Sequence, residues 1–335
     1  MMNSAFVLDN DTILCRQTPE GWCPMQVELP AATVDGKEQS IATPYQVGRV
    51  ELLASLAPSN WEAKPSSSSA FQEIPATSAI TYDYAKNNGI AVPKGLENDS
   101  TLTSLPASSK SSASNHALLD NALSENNVDV AFISYRQLLT QLPAALASQL
   151  SQAMQLLRWQ ADTQFCSRCS AAVHAARSGE RAMVCPVCRL RQYPRVQPCV
   201  ITAITRPNPQ TGEMQILLAH HHRYGRPATQ LQYGLIAGFV EVGESLEHAV
   251  VREVGEEVGI SLQDIRYVSS QPWPFPSNLM LGFRATYVSG AIVLQEDELS
   301  HADFFDISNL PKIPFRGSIA YDLIAQIVHE QGVTL

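Results

Sequence analysis

Residues 238–260 read Gly238-Phe-Val-Glu-Val-Gly-Glu-Ser-Leu-Glu-His-Ala-Val-Val-Arg-Glu-Val-Gly-Glu-Glu-Val-Gly-Ile260. The stretch has the pattern G-x5-E-x7-R-E-U-x-E-E-x-G-U, where U is an aliphatic residue. Gly238 and Gly243 suit a tight turn, and Ser245 is a suitable N-cap for the helix that follows. We predict that this helix runs to about Val258, because Gly259 can adopt the left-handed conformation that ends a helix.

Three carboxylates lie close together on the predicted helix. Glu253, Glu256 and Glu257 are three or four residues apart, so they share one flank. Like charges at this spacing destabilise a helix by about 0.2–0.5 kcal/mol per pair. A bound divalent cation would reverse that penalty. The alternative is an acidic helix face that is simply solvated, and the glycines and Arg252 in register argue against it.

Length and composition restrict the class of protein. The chain has 335 residues, 45% of them hydrophobic, which suggests two or three domains with packed cores. Its net charge of −9 argues against a general affinity for nucleic acids or anionic membranes. No apolar run approaches the roughly 20 residues of a membrane span, and the N-terminus does not resemble a secretion signal. We therefore expect a soluble cytoplasmic protein.

Four of the seven cysteines form two C-x2-C pairs. Cys166 and Cys169 are separated by fifteen residues from Cys185 and Cys188, which is the spacing of a tetrahedral zinc ribbon. Disulfides are one alternative, and a reducing compartment argues against them. A redox C-x2-C motif is another, and such a motif has no use for a second cysteine pair. Four thiolates leave no open position on the ion, so we predict one structural zinc. The other three cysteines show no ligand pattern and are interpreted as packing residues or free thiols. They are Cys15, Cys23 and Cys199.

The chain divides by composition into three predicted domains. Residues 1–160 form an α+β domain, residues 161–195 the zinc ribbon and residues 196–335 an α/β domain. In the first domain, residues 41–56 and 128–134 alternate in polarity as strands do, and the Ser-rich segments 66–69 and 100–114 are interpreted as flexible insertions. Residues 138–159 are apolar at helical spacing.

The last domain carries strand and helix signals in mixed order. Val200–Ile204 and Gln215–Ala219 are predicted to pair as a hairpin around a Pro- and Gly-containing turn. Further strands are predicted at 280–288 and 291–294, and a closing helix at about 318–328. This order indicates a mixed sheet flanked by helices.

A proline-rich stretch, Ser270-Gln-Pro-Trp-Pro-Phe-Pro-Ser-Asn-Leu-Met280, follows the carboxylate-bearing helix. Its three prolines remove backbone donors, so it cannot be an ordinary central strand, and we predict a stiff surface loop. Such a loop would hold Trp273 and Phe275 ready to pack against a flat heteroaromatic ligand. The alternative is a proline-rich cap over the core.

These motifs together resemble a known family. The pattern at 238–260 is similar to the Nudix box, and SQPWPFPxS after it, with a four-cysteine ribbon before it, resembles the bacterial NADH pyrophosphatases of the NudC type. The resemblance covers roughly residues 160–330 and is loose before that. It implies an α/β/α sandwich and the hydrolysis of NADH to reduced nicotinamide mononucleotide and AMP. It also implies the removal of NAD caps from RNA 5′ ends, and a homodimer.

The resemblance also implies site residues. Two or three Mg2+ or Mn2+ ions would be held by Glu253, Glu257 and Glu298, with the carbonyl of Ala237 and with Glu256 in support. The implied substrate contacts are Gln271, Pro272, Trp273, Pro274, Phe275, Pro276, Ser277, Asn278, Tyr193, Phe239, Met280 and Ala320. In the homodimers of the family, an aromatic side chain of one subunit packs against the base bound by the other subunit, and Tyr193 occupies the position of that aromatic. Asn278 replaces a serine of the family motif and Tyr321 replaces an arginine, so the contacts there are expected to differ.

The expected chemistry follows from charge. The diphosphate carries two negative charges that repel an incoming hydroxide, and the metal ions would neutralise them. A carboxylate, Glu253 or Glu298, deprotonates the attacking water, and the bridging oxygen leaves. Arg252 is predicted to orient Glu256 or Glu257 through charge-assisted hydrogen bonds.

Three functions remain open from the sequence. The first is hydrolysis of free NADH, or of another nucleoside diphosphate derivative. The second is decapping of NAD-capped RNA by the same site, which a local excess of basic residues between Cys166 and Cys199 favours: Arg168, Arg177, Arg181, Arg189, Arg191 and Arg195. The third is a non-catalytic regulator that senses nucleotides, and the intact R-E-x-x-E-E core argues against it.

Overall fold

The computed structural model describes the following residues: 3–9, 11–19, 21–24, 26–29, 32–34, 37–39, 90–93, 130–142, 144–176, 180–225 and 231–335. The alternating stretch 41–56 and both predicted Ser-rich insertions lie outside the described residues. The chain separates into two compact units, Met1–Arg195 and Val196–Leu335. The division of the first unit into two domains stays a prediction.

The first unit opens with an α+β arrangement. Its strands are β1 (Asn3–Asp9), β2 (Thr12–Thr18), β3 (Gly21–Pro24), β4 (Gln26–Leu29), β5 (Ala32–Val34), β6 (Lys37–Gln39), β7 (Ile90–Pro93) and β8 (Val130–Ser134). Within the described residues, one sheet has the order β3-β2-β1-β4, with β7 beside β1 and β8 beside β2. The predicted strand at 128–134 is confirmed as β8.

Two helices follow β8. They are α1 (Tyr135–Leu138) and α2 (Ala144–Asp162). The apolar stretch at 138–159 was predicted as one helical segment, and the structure divides it between Leu138 and Ala144. Pro143 is a sufficient reason, because a proline disfavours helical conformation in the residue before it. A small three-stranded sheet comes next, formed by β9 (His174–Ala175), β10 (Met183–Val184) and β11 (Arg191–Gln192).

The second unit is an α/β/α sandwich. Its elements are β12 (Gln197–Pro207), β13 (Met214–His221), a 3-10 turn (His222–Tyr224), β14 (Ile236–Phe239), α3 (Leu246–Val258), β15 (Ser261–Trp273), β16 (Asn278–Ser289), β17 (Leu299–Asp306), a second 3-10 turn (Ile307–Asn309) and α4 (Ile319–Glu330). The sheet has the order β15-β16-β12-β13-β17, with β14 paired to β12. The β12–β16 pair is parallel and the other pairs are antiparallel, so the predicted mixed sheet is confirmed.

A helix covers each face of this sheet. On one face, Leu323 and Ile327 of α4 pack with Ile201 and Leu218. On the other, Val254 of α3 packs with core residues that include Ile204 and Leu217. We call these the α4 face and the α3 face. No helix in the described part of the chain is long and apolar enough to cross a membrane.

The predicted strand at 291–294 is wrong. The structure has no strand there, and the backbone N–H groups of Val293 and Gln295 donate instead to the carbonyls of Val258 and Glu257, at 3.0 Å each. The last carbonyls of a helix lack partners within the helix. The segment therefore completes the end of α3 and does not extend the sheet.

The proline-rich stretch is only partly the predicted loop. Gln271, Pro272 and Trp273 complete β15, residues 274–277 form the turn, and Asn278 begins β16. β15 is an edge strand, and a proline is tolerated there because its missing N–H faces away from the ladder. The prediction that this stretch is not a central strand is confirmed. The prediction that all of it is a surface loop is wrong, because its first part belongs to the edge strand β15.

Candidate active site

Helix α3 begins and ends where the sequence predicts. The Ser245 hydroxyl accepts a hydrogen bond from the backbone N–H of His248 at 3.2 Å. At the other end Gly259 adopts the left-handed conformation with φ 71°. Both ends are fixed by local residues, so the register of the carboxylates along the helix is fixed as well.

Glu253 lies against strand β14. A Cβ atom built on Gly238 would fall 1.9 Å from the Cδ of Glu253 and 2.0 Å from one of its oxygens. Only a residue without a side chain allows the carboxylate to occupy this position. Gly238 therefore leaves room for the Glu253 carboxylate, and it lies in strand β14 and not in the turn predicted for it.

Glu257 is the most unusual of the carboxylates. Only 1% of the residue is exposed, and neither carboxylate oxygen has a hydrogen-bond partner in the described part of the chain. Burial raises its pKa to about 8, and the charges of Glu298 and Glu253 add to the shift. The charge of Arg223 and the backbone N–H of Ala237 lower the pKa only in part.

Glu298 reaches this group from a distant part of the chain. It lies in the exposed turn before β17, where its backbone carbonyl accepts from the N–H of His222 at 2.9 Å. Its charge raises the pKa of both Glu253 and Glu257. The structure thus brings together the three glutamates that the resemblance named.

Arg252 is the centre of a hydrogen-bond network. Its guanidinium donates to Glu253 and Glu256 at 2.9 Å each, and to the carbonyl of Phe239 at 2.8 Å. It also holds both oxygens of Glu244, at 2.8 and 2.9 Å. Of the two partners that the sequence left open, Glu256 is contacted and Glu257 is not.

Glu244 is a residue whose role sequence reasoning missed. Its carboxylate pairs with Arg252 and accepts the backbone N–H of Glu241 at 3.0 Å, and Arg252 holds its pKa down, to about 2. It stays charged and anchors the guanidinium that contacts Glu253. Its fixed place in the pattern at 238–260 was the signal that could have indicated this.

Half of the proposed substrate residues share the α4 face. Cys199 on β12 lies opposite Phe239 on one side and Met280 on the other, and Met280 lies opposite Gln271. Residues directly opposite in a sheet point to the same face, so these four form one row across four strands. The next row contains Asn278 opposite Trp273. Ala237 and Ala320 pack against the core of the same face.

Cys199 at the middle of that row was not assigned to the site by the sequence. It is buried, and burial raises the pKa of its thiol to about 12, with Glu253 and Glu257 adding to the shift. Such a thiol is unreactive. Cys199 is therefore a free thiol that packs within this row, and both alternatives predicted for it describe it.

An aromatic group stands at the end of β15. Trp273 contacts Phe275 edge to face at 5.2 Å and stacks with Phe315 at 6.3 Å and 27°. Phe315 was not predicted, because it comes from the segment before α4. Asn278 donates to the carbonyl of Phe275 at 3.3 Å, and its buried Oδ1 has no partner among the described residues.

The other proposed contacts are spread more widely. Pro274 is buried, Pro272 and Pro276 are exposed, and the carbonyl of Ser277 accepts from the N–H of Gln197 at 2.9 Å. Tyr193 belongs to the first unit, is exposed, and donates from its hydroxyl to Glu180 at 2.9 Å. Its role toward substrate stays a prediction.

The four predicted zinc ligands converge. Their Sγ atoms all lie within 4.8 Å of one another, with Cys166 and Cys188 at 3.5 Å and Cys169 and Cys185 at 3.5 Å. Thiolates at about 2.3 Å from a tetrahedral zinc would be about 3.8 Å apart, so the group fits the ion. The two knuckles match each other: Ser170 and Arg189, each after the second cysteine of its pair, have φ of 59° and 64°.

The chain is similar to several known proteins. The NUDIX domain family model matches residues 197–326. The chain is 44% identical over 189 residues to the NAD-capped RNA hydrolase NudC of Stutzerimonas stutzeri, covering 56% of this chain and 64% of that protein. It is 44% identical over 195 residues to the NAD-capped RNA hydrolase NudC of Klebsiella pneumoniae, covering 58% of this chain and 71% of the relative. A NUDIX hydrolase structure from Nitrosomonas europaea has 22% identity and a TM-score of 0.41, covering 50% of this chain and 92% of its own.

Proposed function

Because the chain belongs to the NudC-type Nudix hydrolases, we propose that it hydrolyses the diphosphate bond of NADH and NAD+ to nicotinamide mononucleotide and AMP. We propose further that it removes NAD caps from RNA 5′ ends at the same site. The aligned part spans 64% of the Stutzerimonas stutzeri relative, so the activity is inferred from the geometry of this chain together with the resemblance.

The observation that carries the proposal is the buried carboxylate of Glu257. A carboxylate with 1% exposure and no hydrogen-bond partner among the described residues is costly unless a cation compensates it. The nearest like charges, Glu253 and Glu298, make the cost greater. A set of oxygen donors in this state suits a hard divalent cation such as Mg2+ or Mn2+.

The spacing of the carboxylates does not suit a single ion shared by all three. Two oxygens that bind the same Mg2+ at about 2.1 Å lie at most about 4.2 Å apart. The oxygens of Glu253, Glu257 and Glu298 are not all within 4.8 Å of one another, unlike the cysteine thiols. We propose that the three glutamates hold two or three ions, with the Ala237 carbonyl and Glu256 in support. Bound there, the ions would neutralise the diphosphate and acidify the attacking water.

The chain's own residues prepare the reaction. Arg252 holds one oxygen of Glu253 and leaves the other for a cation, while Glu244 keeps the guanidinium in place. Glu253 and Glu298 both remain candidates for the general base. Glu298 is exposed and stands in a turn, whereas Glu253 is held by Arg252, which favours Glu298 as the group that takes the proton from water.

The α4 face supplies the binding surface. The row from Phe239 on β14 to Gln271 on β15 lies beside the row that contains Trp273 and Asn278. We propose that one base lies on this face, against Trp273 and Phe275, and that the diphosphate reaches the glutamates of α3 past the end of β14. The Oδ1 of Asn278, which has no partner among the described residues, would accept a hydrogen bond from a donor on that part of the substrate.

The test compares substrates and metals. The purified protein is assayed with NADH, NAD-capped RNA and other nucleoside diphosphate derivatives, with Mg2+ or Mn2+ and with a chelator. We expect AMP and reduced nicotinamide mononucleotide from NADH, and none in the chelator. If kcat/KM is higher for a substrate without nicotinamide than for NADH, the proposed substrate is wrong. If no diphosphate is hydrolysed, the protein is better described as a non-catalytic regulator.

The assembly belongs to the same proposal. We infer a homodimer in which Tyr193 of each chain approaches the base bound by the other. Light scattering gives the mass in solution, and the variant Tyr193→Ala should raise the KM for NADH without changing that mass. A monomer with full activity would contradict this inference.

A further inference from the structure

Gln271 joins the edge strand β15 to the start of α4. Its side-chain carbonyl accepts the backbone N–H of Ile319 at 2.8 Å, and its amide nitrogen donates to the carbonyl of Gly317 at 2.8 Å. Ile319 is the first residue of α4, whose N–H has no partner within the helix. One side chain thus satisfies two backbone groups more than forty residues away.

The segment held in this way carries Phe315. Ser318 strengthens the same turn, because its hydroxyl donates to the carbonyl of Phe315 at 2.8 Å and accepts the N–H of Tyr321 at 3.3 Å. Phe315 in turn stacks on Trp273, two residues after Gln271 in the same strand. Gln271 therefore contacts the turn before α4, that turn carries Phe315, and Phe315 contacts Trp273 on the strand of Gln271.

Helix α4, which follows this turn, packs closely on the sheet. A Cβ on Gly282 would meet Ile319 at 3.0 Å and Leu323 at 3.2 Å, so α4 packs directly on the sheet there. A shift of the turn would consequently move Phe315 more easily than it would move α4. The orientation of Trp273 depends on that turn.

We propose that Gln271 is a positioning residue that sets the affinity for the dinucleotide by holding Phe315 against Trp273. This inference rests on the proposed function, and it differs from a direct substrate contact because both polar ends of the side chain are already hydrogen bonded. Gln271 acts on substrate through the aromatic pair, and the carboxylates do not depend on it.

A double-mutant cycle on Gln271 and Phe315 tests the proposal. Gln271→Met keeps the length and removes the strong donor and acceptor. We expect it to raise the KM for NADH about tenfold while kcat changes by less than about twofold, because the metal site is untouched. Phe315→Ala should raise KM similarly, and the double variant should be no worse than the weaker-binding single variant. Gln263→Met, an exposed glutamine on the same strand, is the matched control and should change neither constant.

The outcomes separate the possibilities. If the two KM effects multiply, Gln271 contacts substrate independently and the proposal is overturned, as it is if Gln271→Met behaves like Gln263→Met. Should Gln271→Met fail to fold, Gln271→Glu retains the acceptor for Ile319 and takes its place in the same cycle with the same expectation. A wild-type protein that does not hydrolyse NADH would instead refute the proposed function.

Discussion

The carboxylate of Glu253 rests on the backbone of Gly238, where a Cβ atom would lie 1.9 Å from its Cδ. The pair joins the last residues of a strand to the middle of a helix, fifteen positions later in the chain. The glycine is needed for its lack of a side chain and not for a positive φ, since its φ is not in the left-handed region. The position of a proposed metal ligand thus depends on a residue that makes no polar contact itself.

The variant Gly238→Ala should abolish activity by displacing Glu253. We expect a loss of at least about a hundredfold in kcat, the scale of removing one major electrostatic stabiliser. Gly255→Ala is the matched control, because an added Cβ there meets nothing within 4 Å. Alanine is the better helix former by about 1 kcal/mol, so this control should keep its activity and melt at a higher temperature. Similar rates for the two variants would refute the contact's importance.

The variant Glu257→Gln should leave the fold intact and stop turnover. It removes a charge that the proposed cations need and retains nearly the same shape, so kcat should fall by about two to three orders of magnitude. Glu247→Gln, an exposed glutamate on the same helix, should have no effect. Steady-state kinetics at saturating Mn2+ provides the comparison, and near-normal rates for Glu257→Gln would show that the ligand assignment is wrong.

Local signals account for the parts of the site that the sequence predicted. The ends of α3 depend on Ser245 and Gly259, which act on their own neighbours, and the cysteine knuckles depend on spacing within each pair. Such features need no knowledge of the rest of the fold. The helix and the converging thiols were accordingly predicted in the right place.

The features that sequence reasoning missed depend on distant contacts. Residues 291–294 have the composition of a strand. The backbone N–H groups of Val293 and Gln295 donate instead to the last carbonyls of α3. Cys199 joins the row on the α4 face only because β12 lies between β14 and β16. Phe315 meets Trp273 because the segment before α4 lies beside the end of β15. Strand order and register set these contacts, and one sequence does not reveal them.

Zinc should be present at one ion per chain in protein purified without added metal. Elemental analysis measures it, and a thiol reagent should release it as Cys166, Cys169, Cys185 and Cys188 react. Because structural zinc is coupled to folding, the ribbon should lose its structure once the ion is removed. A folded, active protein without zinc would contradict this prediction.

The double variant Trp273→Ala, Phe275→Ala should impair NADH hydrolysis far more than hydrolysis of ADP-ribose, which lacks the nicotinamide ring. Each lost aromatic contact should cost about 0.5–1.5 kcal/mol beyond its buried area. Tyr267→Ala removes another exposed aromatic from β15 and should spare both substrates. Equal losses on NADH and ADP-ribose would indicate that the rings have only a structural role.

The most direct test of the central claim is the hydrolysis of NADH in water enriched in oxygen-18, with mass spectrometry of the products. Attack of water on phosphorus at the glutamate site predicts AMP and reduced nicotinamide mononucleotide, with one labelled oxygen in the phosphate of one product and none in either ribose. The label should be absent when Glu257→Gln replaces the wild type. Release of free nicotinamide, or label on a ribose carbon, would mean that a glycosidic bond is cleaved and would contradict the account.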